Sequence, residues 1–393
     1  MHLILNIRRY FLILTIVFIP YSTLYIMGNP YLFLPMVFFM GYFVLSIPRL
    51  KGLLNLKGAE KLVAPWVVIW FLILLGIIVN YFPEYNNIYR SVLQRRIIYL
   101  LFFLIVYNEI RRNLAIKTKI DTTIVFSMFI MGIFYFTGTG LTIDLEGRLS
   151  FFGADVNIIG LWSVIAIMIP MDIIIQGRYK KRFFPYYAFI ILIGFIIMAS
   201  TGSRKAVFML GLGVLSYLIF FNRGIKFKLK LIIPFVVLFY FGYNYITQDS
   251  VFQQRMEREM ERRTLGGRLP IWEETLQVVK ENLVIGAGPG LVREELARSS
   301  LGRSRSAHNE FITIAVLAGI PGLIAFVYFL WVLALRSYRN LRRDNTSIIP
   351  LVLWVIVIMF LFTAGGGLNT FITWFLLAYI AGSTEPQKEE QFF

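Results

Sequence analysis

Two histidines and no cysteine restrict the acid–base and nucleophilic chemistry open to this chain of 393 residues. Without cysteine, disulfides, thiolate metal sites and cysteine nucleophiles are excluded. His2 stands at the start of the sequence, whereas His308 follows a basic stretch and precedes a long apolar run. An imidazole has an ordinary pKa of about 6.5 and can accept a proton at working pH, so His308 is a candidate general base. A single histidine is more often structural, and both interpretations stay open.

Arginines beside apolar segments form a second group of candidate residues. Arg148 lies in IDLEGRLSFFGADVN, Arg204 lies beside Lys205 in ASTGSRKAV, and Arg268 lies in GGRLPIW. An arginine at the mouth of a membrane span is costly unless it is paired, reaches the interface or binds an anion. Its guanidinium presents a fork that fits two phosphate oxygens at once. These residues predict an anion site if the fold brings them together.

The composition shows what kind of fold must position these residues. Hydrophobic residues make up 58% of the chain and charged residues 16%, against roughly 45–50% and 25% in soluble domains. The length would allow two or three globular domains, but such domains could not bury this much apolar surface. The sequence therefore predicts an all-α membrane protein, and the formal net charge of +17 has to be interpreted through its topology.

Twelve apolar segments are predicted to span the membrane, because ~20 apolar residues cross the hydrocarbon core as a helix. The fourth segment is short and is expected to extend into its charged flank. The first follows Arg8 and Arg9, and we expect it to be retained because no small-residue cleavage site follows its long apolar run. The predicted spans are 11–28, 31–48, 64–81, 97–107, 123–142, 157–176, 184–200, 206–222, 231–248, 310–335, 346–364 and 369–383.

Basic residues predict the orientation, since short connections rich in Lys and Arg stay in the cytoplasm. Most of the 39 basic residues fall in alternate connections, which places both termini inside; only the cluster Arg90–Arg96 is discordant. The predicted organisation is nine helices in 1–248, an external loop in 249–309, three helices in 310–383 and a cytoplasmic tail in 384–393. The two termini and the loop thus lie on opposite sides of the membrane.

The external loop contains three further features. The segment 266–282 has the pattern of an amphipathic helix, with Pro270 in its first turn. The glycines of GAGPG (286–290) could cradle phosphate, but no GK[ST] follows them, so a tight turn is the favoured interpretation. The run 249–263 interleaves charges at helical spacing and predicts a solvated or interfacial helix.

By this topology Arg148, Arg204, Arg268 and His308 lie on one side of the membrane. The natural anion for an external site embedded in a membrane is the pyrophosphate of a lipid carrier. No D-x-D pair is present, and the first external connection, GNPY (28–31), carries no carboxylate. Neither a metal nor another cofactor is expected, and arginines would stabilise the charge that develops on the leaving group.

A set of motifs in 150–335 resembles the O-antigen ligase/polymerase superfamily of bacterial surface-polysaccharide enzymes. His308 and Asn309, nine residues, Gly319, two residues and Gly322 fit the superfamily's H-[NSQ]-x9-G-x-x-G pattern. The Ser203–Arg204 pair, the GRLPIW segment (267–272) and the GAGPG turn support the match. The resemblance implies a helical glycosyltransferase fold of the GT-C type, with about twelve spans and an undecaprenyl-pyrophosphate-linked glycan as donor.

The resemblance also implies roles for individual residues. Arg204 and Arg268 would bind the pyrophosphate, with Lys205 and Arg148 as further candidates. His308 would activate the acceptor hydroxyl, and attack at the anomeric carbon would invert the linkage. Asn309 would orient His308 or cap the following helix, and capping is favoured because Asn is a preferred N-cap residue.

The superfamily contains polymerases and ligases that share this chemistry. We favour a polymerase of O-antigen or capsule repeat units over a ligase that moves the finished glycan to lipid A–core. The expected partners are the lipid-linked donor, an acceptor glycan, membrane lipids and a chain-length regulator in a bacterial inner membrane, and nucleic acid is not among them. A lipid-linked oligosaccharide flippase is the main alternative, because Gly319 to Gly322 could break a helix as in transporters. A purely structural scaffold would not explain arginines at span mouths.

Overall fold

The computed structural model of the protein describes most of the membrane-embedded chain. The described residues are 2–22, 33–144, 147–221, 268–298, 307–344, 347–364 and 366–385, with a few isolated positions between 224 and 240. Of the predicted features, the ninth span (231–248), the charged run 249–263 and most of the tail lie outside these residues.

Fourteen α-helices and one two-stranded hairpin make up the described chain. The first nine helices are α1 (His2–Phe18), α2 (Leu34–Ser46), α3 (Leu50–Leu53), α4 (Glu60–Val79), α5 (Asn86–Arg112), α6 (Leu114–Thr137), α7 (Val156–Ile175), α8 (Phe184–Ser200) and α9 (Arg204–Phe220). The remaining helices are α10 (Arg268–Glu281), α11 (Gly288–Arg298), α12 (Glu310–Asp344), α13 (Ile349–Thr363) and α14 (Phe371–Ser383). The strands β1 (Leu141–Ile143) and β2 (Leu149–Phe151) pair antiparallel between α6 and α7.

The all-α membrane fold predicted from composition is confirmed. Seven of the described helices are long and apolar enough to cross a membrane, and α13 and α14 are shorter apolar helices. The short fourth span does extend into its charged flank, as predicted, since α5 runs from Asn86 to Arg112. The segment 266–282 is helical from Arg268 to Glu281, and Gly286 and Ala287 lead into α11, whose first turn contains the other three residues of GAGPG.

The predicted start of the first span is wrong. The span was placed at 11–28, but α1 begins at His2 and ends at Phe18. Arg8 does not interrupt this helix because its guanidinium is buried in the bundle, 3.0 Å from the carboxylate of Glu109 on α5. The hydroxyl of Tyr42 donates to the same carboxylate at 2.6 Å. A charge that looked like a flanking residue in the sequence is therefore a contact between helices.

Helices α7 and α14 form the centre of the bundle. Both are apolar on all sides, and α14 is buried from Phe371 to Gly382. A helix that is hydrophobic all round belongs in the interior, because it has no polar face to turn to solvent. Around them α14 packs on α5, α7 packs on α8, and α12 packs on α4. The N-terminus of α7 begins at Val156, after Asp155, whose carboxylate accepts from the amide of Asn157 at 2.7 Å.

The C-terminal end of α7 holds a buried acidic residue, Asp172. Asp172 is 1% exposed and accepts hydrogen bonds from Tyr217 at 2.7 Å and from Gln176 at 2.8 Å. Its other oxygen pairs with Arg178. Buried charges in membranes mark transport pathways when they line a cavity. Asp172 instead joins α7 to α9 through its hydrogen bond with Tyr217. These contacts indicate a structural role for Asp172.

Helix α12 is broken at Gly319, where the backbone has φ 69° and ψ −175°. Residues 283–287 lie against the break and form hydrogen bonds with its backbone groups. The amide of Ala287 donates to the Val316 carbonyl at 2.8 Å, and the amide of Ile320 donates to the Leu283 carbonyl at 2.8 Å. These bonds satisfy backbone groups that the break would otherwise leave open. The glycine motif thus joins the loop to the bundle by direct contact between backbones.

A Gly319→Ala substitution is expected to destabilise the protein strongly. The backbone at this position is a conformation that only glycine adopts readily, so strain alone is worth about 1–3 kcal/mol. An added Cβ would also lie 2.6 Å from the Val284 carbonyl oxygen and 2.7 Å from that of Leu283. Thermal unfolding of purified protein in detergent measures the effect. Gly211→Ala in α9 is the matched control, since nothing lies within 4 Å of its added Cβ; equal unfolding midpoints for the two variants would contradict this account.

Candidate functional site

A cavity of about 890 Å³ opens at the end of the bundle where α7 and α9 begin. Its wall is built from the hairpin, the first turns of α7 and α9, the residue two positions before α12 and the connection between α13 and α14. The lining residues include Thr142, Asp144, Arg148, Ser150, Asp155, Asn157, Ser203, Arg204, Lys205, His308, Ala364, Gly367 and Thr370. Elements far apart in sequence therefore enclose one polar chamber.

Four of the residues singled out in the sequence meet in this cavity. Arg148, Arg204, Lys205 and His308 all line it, although they come from three separate parts of the chain. Arg268 is the first residue of α10, and its side chain lies outside what the structure describes. The convergence that topology predicted thus extends to the side chains of these four lining residues.

Arg204 and Lys205 occupy the first two positions of α9. Ser203 caps this helix, its hydroxyl accepting from the amide of Ala206 at 3.4 Å and donating to the Asn157 side chain at 3.2 Å. The N-terminal end of a helix carries partial positive charge and favours anions. Two cationic side chains and a helix terminus are therefore directed to the same wall of the cavity.

Arg148 is held differently, because the hairpin ties it to an acid. Its Nε lies 2.7 Å from Oδ2 of Asp144, and the Asp144 side chain also accepts from the Arg148 amide at 2.9 Å. A guanidinium paired with a carboxylate attracts a further anion less strongly. Asp144 therefore already compensates part of the charge that Arg148 brings to the cavity.

The hairpin itself was not predicted. Leu141 pairs with Phe151, and Thr142 pairs with Ser150, so the strands carry polar side chains to the cavity. Gly147 has φ 75°, a conformation suited to the turn. The sequence signal was the glycine beside alternating polar and apolar residues, which predicts a hairpin when it lies between spans.

His308 lies on the surface of the cavity in an unusual backbone conformation. Its φ is 49°, a left-handed value that costs a non-glycine residue about 1–2 kcal/mol. Neighbouring residues hold it on both sides. The Ala307 carbonyl accepts from Nε1 of Trp272 at 2.6 Å, and Asn309 caps α12. Strain of this kind persists only where the surroundings enforce it, and it is concentrated at functional sites.

The predicted capping role of Asn309 is confirmed. Its side-chain oxygen accepts from the amide of Phe311 at 2.9 Å and from that of Ile312 at 3.3 Å. The other two motif residues lie further along α12: Gly319 forms the break, and a Cβ on Gly322 would lie 2.4 Å from that of Ala318. The histidine and the glycines of the motif therefore have separate roles. His308 lines the cavity, whereas Gly319 allows α12 to contact the loop that precedes α11.

A buried pair of opposite charges below the cavity was missed in the sequence. Arg96 on α5 is 4% exposed and Glu310, the first residue of α12, is fully buried. Among the described residues, neither Glu310 oxygen is in a well-aligned hydrogen bond, and Nε and Nη1 of Arg96 have no hydrogen-bond partner. The two groups act on each other electrostatically without forming a direct ion pair. Of the basic cluster Arg90–Arg96, Arg96 is thus buried inside the bundle, whereas Arg90 and Arg95 are exposed.

Glu310 also contacts the turn that closes the cavity. Its carboxylate faces the backbone amides of Gly366, Gly367 and Leu368, and Gly367 lines the cavity. Beside it, Tyr99 donates to the Asn369 carbonyl at 2.6 Å. One cue was available in the sequence, since an acidic residue in the first turn of a helix is favourable. The burial of Glu310 depends on its packing near α5, which the residues around Glu310 in the sequence do not indicate.

Fold and site together define an all-α integral membrane protein with a cationic chamber at one end of its bundle. The sequence model of the O-antigen ligase family matches residues 188–327. This match confirms the resemblance to the O-antigen ligase/polymerase superfamily. It contains the segments of Arg204, Arg268 and His308, whereas Arg148 lies outside it.

The chain is also similar to a bacterial protein whose printed name gives no activity. An uncharacterized protein of Haemophilus influenzae is 24% identical over 207 residues, which is 47% of this chain and 50% of that protein. The chain thus spans about half the length of the curated relative it matches. Among the described residues, no group of three or more His, Asp and Glu side chains is gathered as a metal site requires.

Removing one charge of the buried pair is expected to destabilise the fold, and removing both is expected to cost less than the sum of the two single changes. Glu310→Met would leave Arg96 buried without its counter-charge, at a cost on the order of 3 kcal/mol. Arg96→Met combined with Glu310→Met should lose less than the sum of the two single changes, because neither charge is then left alone. Thermal unfolding of the four proteins measures this. Additive losses would mean that the two charges are not coupled.

Proposed function

We propose that the protein is a metal-independent, inverting membrane glycosyltransferase that uses an undecaprenyl-pyrophosphate-linked glycan as donor. The family match indicates an activity of the O-antigen ligase/polymerase type in general. The single observation that carries the finer proposal is the cavity that Arg204, Lys205 and His308 line together. Its volume of about 890 Å³ lies within the roughly 300–1,000 Å³ of small-molecule sites.

In this proposal the cationic wall binds the donor's pyrophosphate. Arg204 and Lys205, at the N-terminus of α9, neutralise phosphate oxygens with support from the helix terminus. Arg268 contributes from the start of α10, and Arg148 is a weaker contributor because Asp144 already neutralises it. These cations stabilise the negative charge that grows on the leaving pyrophosphate as its bond to the sugar breaks.

His308 acts as the general base. Its imidazole removes the proton from an acceptor hydroxyl, whose oxygen attacks the anomeric carbon on the face opposite the pyrophosphate. The C–O bond to the pyrophosphate breaks as the glycosidic bond forms, so undecaprenyl pyrophosphate leaves and the anomeric configuration inverts. The proton on His308 then passes to the departing phosphate or to water. The position of His308 in the lining of the cavity supports this role.

We favour a polymerase that joins O-antigen or capsule repeat units, acting in a bacterial inner membrane with both termini in the cytoplasm. The acceptor is then a second lipid-linked repeat unit, and a chain-length regulator is a further partner. A ligase that transfers the finished glycan to lipid A–core would use the same cavity. A flippase for lipid-linked oligosaccharides is the alternative outside the enzymes.

Substitutions in the cavity are expected to abolish glycan transfer while the protein stays folded. His308→Ala should lower the rate by about 10²–10⁴-fold through loss of the base. Arg204→Ala should lower it by about 10²–10³-fold through loss of charge stabilisation. The measurement is glycan transfer by reconstituted protein supplied with lipid-linked glycan. His2→Ala and Arg339→Ala, an exposed arginine of α12, are the matched controls, and normal long-chain product from His308→Ala would sink the proposal.

Deletion of the gene is expected to leave single repeat units on the carrier. Such units accumulate because a polymerase that joins them is missing, whereas later steps still operate. A gel of glycan extracted from the deletion strain makes the distinction. Long chains stranded on the carrier would identify a ligase instead, and carrier-linked units retained on the cytoplasmic face would identify a flippase.

A further inference from the structure

We infer that Trp272 is a positioning residue for His308, and that it makes the placement of the base depend on helix α10. This inference rests on the proposed function, since it concerns how the proposed base is held. Trp272 lies on α10 and is separated by 35 residues from the carbonyl to which it donates. In the sequence it was noted only as part of the GRLPIW segment.

The contact acts on the peptide group that precedes His308. Nε1 of Trp272 donates to the Ala307 carbonyl at 2.6 Å. Because a peptide group is planar, this carbonyl lies in one rigid plane with the amide of His308. Fixing the carbonyl therefore fixes the plane from which the φ angle of His308 is measured, and that angle is the left-handed one.

The following residue is fixed as well. Asn309 is 3% exposed and its side chain is engaged in capping α12. His308 is thus held between two anchored neighbours, one tied to α10 and one to α12. With both sides set, few backbone conformations remain for His308, and these fix the direction of its Cα–Cβ bond, from which the imidazole extends.

Helix α10 is a firm support for this contact. It packs on α12 through a buried face that includes Ile271, Thr275 and Val278. The Trp272 ring meets that of Phe362 on α13 edge to face, with centroids 6.2 Å apart. The indole is therefore oriented by a second element, which directs its N–H at Ala307.

The same helix begins at Arg268, one turn before Trp272. In the proposed function Arg268 belongs to the pyrophosphate site and His308 is the base. A shift of α10 would then move both together, so the donor site and the base are mechanically linked through Trp272.

Trp272→Phe tests the inference because it keeps an aromatic ring and removes the N–H. In glycan transfer by full-length reconstituted protein, with carrier-linked repeat units from the deletion strain as substrate, we expect kcat to fall about 10- to 100-fold. KM for the donor should change little. Trp354→Phe is the matched control, since Trp354 donates the same bond, at 2.9 Å, to Leu330 away from the cavity. Equal losses in both variants, or a normal kcat for Trp272→Phe, would overturn the inference.

A double variant separates positioning from general damage. If Trp272 acts through His308, Trp272→Phe should not slow the residual rate of a His308→Ala protein any further. An additional loss in that background would count against the inference. Trp272→His, which keeps a ring N–H, should be faster than Trp272→Phe, and an equal rate would also count against it.

These experiments distinguish failure of the proposed function from failure of the positioning role of Trp272. A His308→Ala protein with full transfer activity would overturn the proposed function and this inference with it. A His308→Ala protein without activity, combined with a Trp272→Phe protein of normal kcat, would overturn only the role of Trp272.

Discussion

The contact between the broken helix α12 and the turn at 286–290 is the constraint on which the site depends. A break within a membrane helix exposes backbone groups that lipid cannot satisfy, and here the Ala287 and Ile320 amides close it against Val316 and Leu283. Only glycine permits the backbones to approach so closely, because a Cβ at Gly286 would lie 2.5 Å from the Ala318 amide nitrogen. This contact joins the loop to the bundle and so holds α10 beside the start of α12, where His308 lies.

The two ends of the bundle use charge differently. At the end away from the cavity, charged side chains are satisfied within the protein: Asp172 binds Arg178 and Tyr217, and Arg336 binds Glu385. At the cavity, Arg204 and Lys205 line an open space at a helix N-terminus. The first set joins elements of the fold, whereas cationic residues at a helix N-terminus favour an anion in the cavity. The net charge of +17 does not by itself reveal this division.

Sequence patterns identified the residues of the candidate site better than the contacts that hold those residues in place. The histidine, the pair at Arg204 and Lys205 and the glycines of α12 were all recognisable, because their types and spacing carry chemical or conformational meaning. The ion pair that weakens Arg148, the buried charges Arg96 and Glu310 and the Trp272 contact were not, since each partner lies on another element. Even the start of α1 was misplaced, because the burial of Arg8 depends on Glu109.

The sequence by itself determined that this is a helical membrane protein, the approximate spans, and which residues could serve as base and anion ligands. These properties depend on the transfer of apolar segments into lipid and on local chemistry, both of which are written in short stretches of chain. Only the tertiary structure decided that Arg148, Arg204, Lys205 and His308 share a cavity, that a hairpin forms its wall, and that His308 is strained between Trp272 and Asn309. Those outcomes depend on distances between segments far apart in sequence, which packing sets and no local pattern encodes.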